Sequence, residues 1–120
     1  MINYDLQKIK AVVFDVDGVL SACTIQMDEK GEPVRTINIK DGYAMQLAVK
    51  HGIRLAIMTG GHNENIRFRY EYLGVKDVYI NCSMKIRTWE EFLSRYDLRE
   101  EEIIYVGDDI PDYEVMKRAG

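Results

Sequence analysis

Cysteine and proline are scarce in this sequence, with 2 of each among 120 residues. The two cysteines, Cys23 and Cys82, are too few for a disulfide framework and too far apart for a Cys-x-x-Cys metal site. No apolar run reaches the roughly 20 residues that a membrane-spanning helix needs, and no secretory signal pattern opens the chain. These absences predict a cytoplasmic protein without a membrane partner.

The chain also lacks an excess of positive charge. Its 16 lysines and arginines are outnumbered by 20 aspartates and glutamates, so its net charge is −4. Because nucleic-acid binding depends mainly on lysine and arginine contacts to phosphates, we expect no nucleic-acid partner. Apolar residues make up 47% of the chain, which at this length is enough for one hydrophobic core without disulfide bonds. The composition therefore predicts a single domain over residues 1–120.

Short apolar runs alternate with helical patterns along the chain. The apolar runs cover residues 9–16, 53–58, 78–80 and 103–106. The helical patterns cover about 42–51, 63–73, 84–96 and 111–119. Near-continuous apolar strands are typical of a parallel sheet that is covered on both faces. The alternation predicts an α/β fold, with a Rossmann-like parallel sheet between helices.

One segment interrupts this alternation. Residues 23–27 and 34–39 read as two strands around a polar turn at 28–33, which predicts a small β-hairpin inserted after the first strand. Its apolar residues alternate as though one face were covered: Ile25, Met27, Ile37 and Ile39. Because an isolated hairpin is marginally stable in water, we expect this domain or another subunit to cover that face.

The residues suited to chemistry follow the ends of the predicted strands. They are Asp15, Asp17, Thr59, Lys85, Asp108, Asp109 and Asp112. In an open α/β sheet ligands bind at the carboxyl ends of the strands, so we expect these side chains on one rim. Clustered carboxylates repel one another unless a cation compensates, and hard oxygen ligands suit Mg²⁺. The lysine, the threonine and the Gly60 and Gly61 amides suit phosphate oxygens, which predicts phosphoryl transfer with a carboxylate nucleophile.

The order of these motifs carries a resemblance. The segments Asp15-Val16-Asp17-Gly18-Val19, Thr59-Gly60, Lys85 and Gly107-Asp108-Asp109-x-x-Asp112 resemble the four motifs of the haloacid dehalogenase superfamily, across residues 11–116. The resemblance implies a Mg²⁺-dependent phosphatase in which Asp15 is the nucleophile and forms an aspartyl-phosphate. It implies that Asp17 is the general acid and base, and that Asp15, the Asp17 carbonyl and Asp108 hold the metal. Thr59, Gly60 and Lys85 would bind phosphate, and Asp109 and Asp112 would lie outside the direct ligands or orient Lys85.

A narrower resemblance rests on the hairpin, on Lys40-Asp41-Gly42, and on Arg69 with Leu73-Gly74 after it. These features resemble the 3-deoxy-D-manno-octulosonate 8-phosphate phosphatases, which are cap-less homotetramers of lipopolysaccharide precursor synthesis. The resemblance implies a phosphorylated sugar acid as substrate, with Arg69 among the substrate-binding residues. Relatives that act on 2-keto-3-deoxynononate 9-phosphate are an alternative.

The sequence departs from that subfamily at three places. Gly61 stands where an arginine is usual, and Met84 stands where an aspartate precedes the lysine. The chain stops at Gly120, before the further strand, helix and glycine-rich tail of relatives, as either a short natural form or a fragment. A catalytically quiet binding or scaffolding domain is therefore a second functional alternative. A phospho-acceptor receiver domain is disfavoured, because in that class no acid cluster follows the lysine.

Some of the candidate residues also have a simpler interpretation. Thr59, Asp109 and Asp112 could merely cap helices, since short polar side chains and acids are favourable at helix N-termini. Lys85 on its own could be one of many surface lysines. Arg69 is expected on an exposed helical face.

Overall fold

The computed structural model describes residues 5–120. The strands are β1 (Ala11–Phe14), β2 (Gln26–Met27), β3 (Pro33–Val34), β4 (Arg54–Met58), β5 (Asp77–Tyr79) and β6 (Ile103–Val106). The helices are α1 (Ile39–Lys50), α2 (Glu64–Tyr72), α3 (Lys85–Tyr96) and α4 (Tyr113–Arg118), with short 3-10 turns at Leu6–Lys8, Glu100–Glu102 and Ile110–Asp112. Among these helices none is both long and apolar enough to cross a membrane. That residues 1–120 form one domain stays a prediction.

Four strands form a parallel sheet in the order β5-β4-β1-β6. β1 lies between β4 and β6, with Phe14 opposite Ile57 on one side and Val106 on the other. These three strands therefore end together at one edge of the sheet, as the sequence predicts for an α/β fold. Within residues 5–120 only the β2–β3 hairpin is inserted between β1 and α1, and no larger cap is present there.

Helices cover both faces of the sheet and bury two apolar clusters. On one face Leu55 and Ile57 of β4 pack with Met45 of α1 and Ile66 and Tyr70 of α2. On the other face the sheet packs against α3 and α4, in a cluster that comprises Ala11, Val13, Ala56, Met58, Trp89, Phe92, Ile103, Tyr105 and Val115. Alternate residues of β4 thus face opposite clusters, as successive strand side chains must. The helical pattern predicted at 84–96 is confirmed as α3, in which Trp89 and Phe92 are fully buried.

The predicted hairpin is wrong in its extent. Each strand is two residues long, and β2 pairs antiparallel with β3. The prediction of a strand to residue 39 fails because Asn38 caps α1, accepting a hydrogen bond from the Asp41 N–H at 3.1 Å. The helix therefore begins at Ile39, three residues earlier than the predicted start at 42.

Residues 5–120 leave most of the apolar face of the hairpin uncovered, with Ile25 half-buried. Met27 is 73% exposed, Ile37 is 54% exposed and Ile39 is 80% exposed. Leu47 of α1 is exposed as well. Residues 5–120 therefore do not cover this face, and cover by another subunit stays a prediction.

Candidate active site

A buried lysine joins two carboxylates at the carboxyl edge of the sheet. Asp15 follows β1, Lys85 opens α3, and Asp112 ends the 3-10 turn after β6. The Lys85 Nζ lies 2.6 Å from Asp112 Oδ1 and 3.1 Å from Asp15 Oδ1. All three residues are buried. The surface interpretation of Lys85 is therefore wrong, because this lysine lies among the strand-end acids.

The two carboxylates of this triad differ in how well they are compensated. Asp112 accepts hydrogen bonds from Lys85 and the Tyr105 hydroxyl at Oδ1, and from the Asp108 and Asp109 N–H groups at Oδ2. Asp15 accepts hydrogen bonds from the Val16 N–H at 2.8 Å and is paired with the same lysine. Asp112 is therefore the carboxylate that neutralises Lys85.

The pKa directions follow from these contacts. Burial raises the pKa of Asp15, and the nearby Lys85 charge only partly opposes this. Burial would raise the pKa of Asp112 too, but hydrogen bonds from Lys85 and Tyr105 outweigh it, so that pKa is lowered. Burial would lower the pKa of Lys85, but the hydrogen bonds and charges of Asp112 and Asp15 raise it overall. Asp15 is thus the less well compensated of the two buried carboxylates.

The side chains present fit a hard dication. Single oxygens of Asp15, Asp108 and Asp112 lie within 4.8 Å of one another. Because Asp112 is saturated by its donors, Asp15 and Asp108 are the two carboxylates that could bind a metal. Asp108 is exposed, and among residues 5–120 no hydrogen-bond donor engages its carboxylate. Two carboxylates, a backbone carbonyl and waters are a typical ligand set for Mg²⁺.

Gly18 leaves room for the Asp108 carboxylate. It has φ +84°, and a Cβ added there would lie 1.7 Å from Asp108 Oδ2. We expect Gly18→Ala to displace this carboxylate and to weaken Mg²⁺ binding by about 10–100-fold, the range for changes that misplace a metal ligand. Titration calorimetry with Mg²⁺ measures this affinity.

A matched control separates crowding from backbone strain. Gly31 has φ +79°, and a Cβ there would meet nothing within 4 Å. Gly31→Ala therefore carries the same unfavourable φ without touching the acids. An equal loss of Mg²⁺ affinity in both variants would contradict the role given to the space beside Gly18.

The Thr59 loop lies at the same edge. Thr59 is buried, follows β4, and accepts a hydrogen bond at Oγ1 from the Gly61 N–H at 3.1 Å. The hydroxyl hydrogen of Thr59 stays available for a ligand, while the Gly61 amide is already used. The expected phosphate cradle from both glycine amides at a helix N-terminus is wrong for Gly61, because α2 begins at Glu64. Gly60 is exposed, and the nearest atom to an added Cβ is the Cys82 carbonyl oxygen at 3.9 Å.

Asp17 has a partner that the sequence analysis missed. The Arg35 Nε donates to Asp17 Oδ1 at 2.7 Å, and Arg35 Nη2 donates to Oδ2 at 3.1 Å. The Ser21 hydroxyl lies 3.3 Å from the same Oδ1. Arg35 follows β3, in the segment predicted to be a hairpin strand, and no motif or periodicity marks it.

Arg69 and Asp109 lie outside the acid cluster. Arg69 is half-buried rather than on an exposed face, with its Nη2 2.7 Å from a Cβ added at Gly42 of α1. The expected exposed position is wrong because α1 packs closely on α2 at this glycine. Asp109 is exposed and accepts a hydrogen bond from the Ile110 N–H at 2.7 Å, which fits the capping interpretation.

A cavity of about 250 Å³ is lined by residues that include Arg69, Arg35 and Val16.

The chain is similar in sequence to known phosphatases. The chain is 34% identical over 114 residues to the 3-deoxy-D-manno-octulosonate 8-phosphate phosphatase KdsC of Escherichia coli, covering 95% of this chain and 61% of that protein. The chain thus spans about 61% of the length of the curated relatives it matches.

The fold of the chain is similar to the solved structures of such phosphatases. A 3-deoxy-D-manno-octulosonate 8-phosphate phosphatase from Yersinia pestis aligns with TM-score 0.91 and 32% identity, over 96% of this chain and 62% of that one. The Moraxella catarrhalis phosphatase of the same name, in complex with magnesium ion, phosphate ion and KDO, aligns with TM-score 0.90 and 28% identity, over 96% and 66%. A family model for haloacid dehalogenase-like hydrolases matches residues 38–120, and the chain belongs to that family.

Proposed function

We propose that the chain is a Mg²⁺-dependent phosphomonoester hydrolase that works through an aspartyl-phosphate on Asp15. The observation that carries the proposal is the buried Asp15 carboxylate, paired with Lys85 at 3.1 Å and close to an Asp108 carboxylate that no residue of 5–120 engages. This arrangement combines a nucleophile, a fixed cation for phosphate oxygens and a place for a metal.

In the first step an Asp15 carboxylate oxygen attacks phosphorus and the bond from phosphorus to the leaving oxygen breaks. Asp17 gives its proton to that oxygen, so the alcohol leaves neutral. Lys85 and Thr59 donate hydrogen bonds to the phosphoryl oxygens. A Mg²⁺ ion held by Asp15 and Asp108 would supply charge neutralisation at the phosphoryl group. Asp112 holds Lys85 in place and does not contact the substrate.

In the second step water attacks the phosphorus of the aspartyl-phosphate. Asp17, now a carboxylate, takes a proton from this water, and the bond between phosphorus and the Asp15 oxygen breaks. Inorganic phosphate leaves and Asp15 is regenerated as a carboxylate. Each turnover therefore consumes one water and returns Asp17 to its protonated form.

The substrate we propose is a sugar-acid phosphate such as 3-deoxy-D-manno-octulosonate 8-phosphate, used in lipopolysaccharide precursor synthesis in the cytoplasm. The similarity to 3-deoxy-D-manno-octulosonate 8-phosphate phosphatases supports this choice. Arg69, in the lining of the 250 Å³ cavity, also suits an anionic substrate. A turnover screen across sugar-acid phosphates that includes 2-keto-3-deoxynononate 9-phosphate tests it. Preference for the nine-carbon substrate would favour the alternative relatives.

Removal of the metal will abolish hydrolysis. With EDTA we expect no turnover of p-nitrophenyl phosphate, and excess Mg²⁺ should restore it, because Asp15 and Asp108 need a dication beside the phosphoryl group.

In thermal unfolding, Mg²⁺ should raise the Tm of the wild type and leave the Tm of Asp108→Asn unchanged. Asp97→Asn, at the exposed end of α3, is the matched control. Turnover that survives thorough chelation would contradict the metal's role, and a folded protein without any turnover would favour a binding or scaffolding domain.

We also propose a homotetramer built around the hairpin. The exposed apolar residues there and at the start of α1 are Met27, Val34, Ile37, Ile39 and Tyr43. An exposed apolar group of this kind is typical of a subunit interface.

Light scattering should give roughly four times the chain mass if the chain forms this homotetramer, one of the closed symmetric assemblies. Ile37→Asp with Ile39→Asp should dissociate the assembly, because the two charges would be buried in the interface. Phe68→Asp, at an exposed position of α2, should not. A fully active monomer would contradict the proposed assembly.

A further inference from the structure

Arg35 engages the Asp17 carboxyl with two parallel hydrogen bonds. Its Nε and Nη2 groups lie 2.7 and 3.1 Å from the two carboxyl oxygens. A fork of this geometry fixes the direction of a carboxyl group as well as its position. Asp17 needs such a support, because its side chain is 37% exposed and follows the end of β1. Without a partner it would rotate freely in water.

The guanidinium of Arg35 is itself held in place. Its Nη1 donates to the Asn63 side-chain oxygen at 3.1 Å, and the Asn63 amide donates to Glu32 at 2.8 Å. The Arg35 side chain is only 11% exposed. Glu32 and Arg35 flank the short strand β3, so the hairpin is connected to Asp17 through a continuous set of polar contacts.

Gly61 provides the space that this guanidinium occupies. A Cβ added at Gly61 would lie 2.8 Å from Arg35 Nη2 and 3.3 Å from its Cζ. The 2.8 Å contact is shorter than real Cβ contacts, and the same Cβ would lie 2.9 Å from Ile66 Cδ1, so a side chain at position 61 would displace the guanidinium and this core side chain. Arg35 and Gly61 therefore act as a pair: because Gly61 has no side chain, the guanidinium of Arg35 can lie against the Thr59 loop.

We propose that Arg35 is a positioning residue that aims the Asp17 carboxyl at the leaving-group oxygen, and that Gly61 is required for it. The inference rests on the proposed phosphatase function. Asp17 Oδ1 accepts from Arg35 Nε and Oδ2 accepts from Arg35 Nη2, so the fork holds both carboxyl oxygens. In the transfer the carboxyl O–H bond of Asp17 breaks and the proton moves to the leaving oxygen.

Two small substrates distinguish a loss of acid catalysis by Asp17 from an overall loss of activity. p-Nitrophenyl phosphate releases a weakly basic anion that needs little protonation, whereas phenyl phosphate releases a more basic one. We expect Arg35→Ala to lower kcat on phenyl phosphate on the order of 10- to 100-fold, the scale of a misplaced catalytic group. The loss on p-nitrophenyl phosphate should be within about threefold, since general acid help matters less there. Arg35→Lys should recover only part of the loss, because lysine lacks the fork.

Two further variants test the route through Asp17. In an Asp17→Asn background, Arg35→Ala should cause no additional loss, because residues that act as a unit are not additive. Gly61→Ala should reproduce the selective loss on phenyl phosphate while leaving Arg35 in the chain. Arg118→Ala is the matched control. It removes bonds to Glu100 and Glu90 at the opposite edge of the sheet, so turnover of both substrates should be unchanged.

The outcomes separate the two proposals. A wild type that hydrolyses neither substrate with Mg²⁺ would overturn the phosphatase function, and the positioning role with it. An active wild type would overturn the positioning role alone if Arg35→Ala gave equal losses on both substrates, additive losses with Asp17→Asn, or faster turnover. If Arg35→Ala does not fold, as circular dichroism would show, Gly61→Ala decides by the same comparison of substrates.

Discussion

Asp15→Asn will leave essentially no turnover, with a loss on the order of 10⁴-fold or more, as for removal of other enzymatic nucleophiles. The amide oxygen of asparagine is a poor nucleophile, and the change also removes one carboxylate from the metal site. The protein should stay folded, because Lys85 keeps its 2.6 Å contact with Asp112. Steady-state hydrolysis of p-nitrophenyl phosphate with Mg²⁺ and a thermal unfolding curve measure the two effects.

The control for this variant is Asp97→Asn, the same chemical change at an exposed residue with φ +52°. Asparagine tolerates this left-handed conformation, so both activity and Tm should match the wild type. Turnover by Asp15→Asn above about a hundredth of the wild-type rate would contradict the nucleophile assignment, given the size of effect seen for other nucleophiles.

Lys85→Met will have the largest effect on stability. The lysine side chain is 4% exposed and lies between the carboxylates of Asp15 and Asp112. Methionine is similar in size but leaves two buried carboxylates without a cation. Breaking a buried ion pair from one side costs about 3–5 kcal/mol in free energy of unfolding. Urea unfolding in EDTA measures this loss.

Two companion variants make that measurement specific. Lys76→Met changes an exposed lysine before β5 and should alter the free energy of unfolding by no more than about 0.5 kcal/mol. Adding Asp112→Asn to Lys85→Met removes one uncompensated charge, so the double variant should lose less than the sum of the single losses. Additive losses would show that the triad does not act as a unit, and the account of Lys85 would fail.

The sequence predicted the sheet well because its strands are short and mostly apolar. β6 occupies residues 103–106 as expected, and β4 begins one residue after the predicted start at 53. Parallel strands end at one edge, so residues directly after them converge whatever the loops do. That is why Asp15, Lys85 and Asp112 could be expected to meet.

The remaining contacts depend on side chains that no local pattern specifies. Arg35 is 18 positions from Asp17, and its contact depends on the space at Gly61. The Asn38 cap that shortens the hairpin competes with a strand pattern of alternating apolar residues. In each case a single hydrogen bond or a missing side chain decides the structure, and the apolar periodicity does not record it.

Trapping the aspartyl-phosphate tests the central claim most directly. Borohydride reduces an acyl phosphate to an alcohol, so quenching an active reaction with it should convert Asp15 to homoserine. Peptide mass spectrometry locates the change. We expect it at Asp15 only, when both p-nitrophenyl phosphate and Mg²⁺ are present. Steady turnover without any reduction at Asp15, or with the mass change at another residue, would contradict the nucleophile that the account assigns.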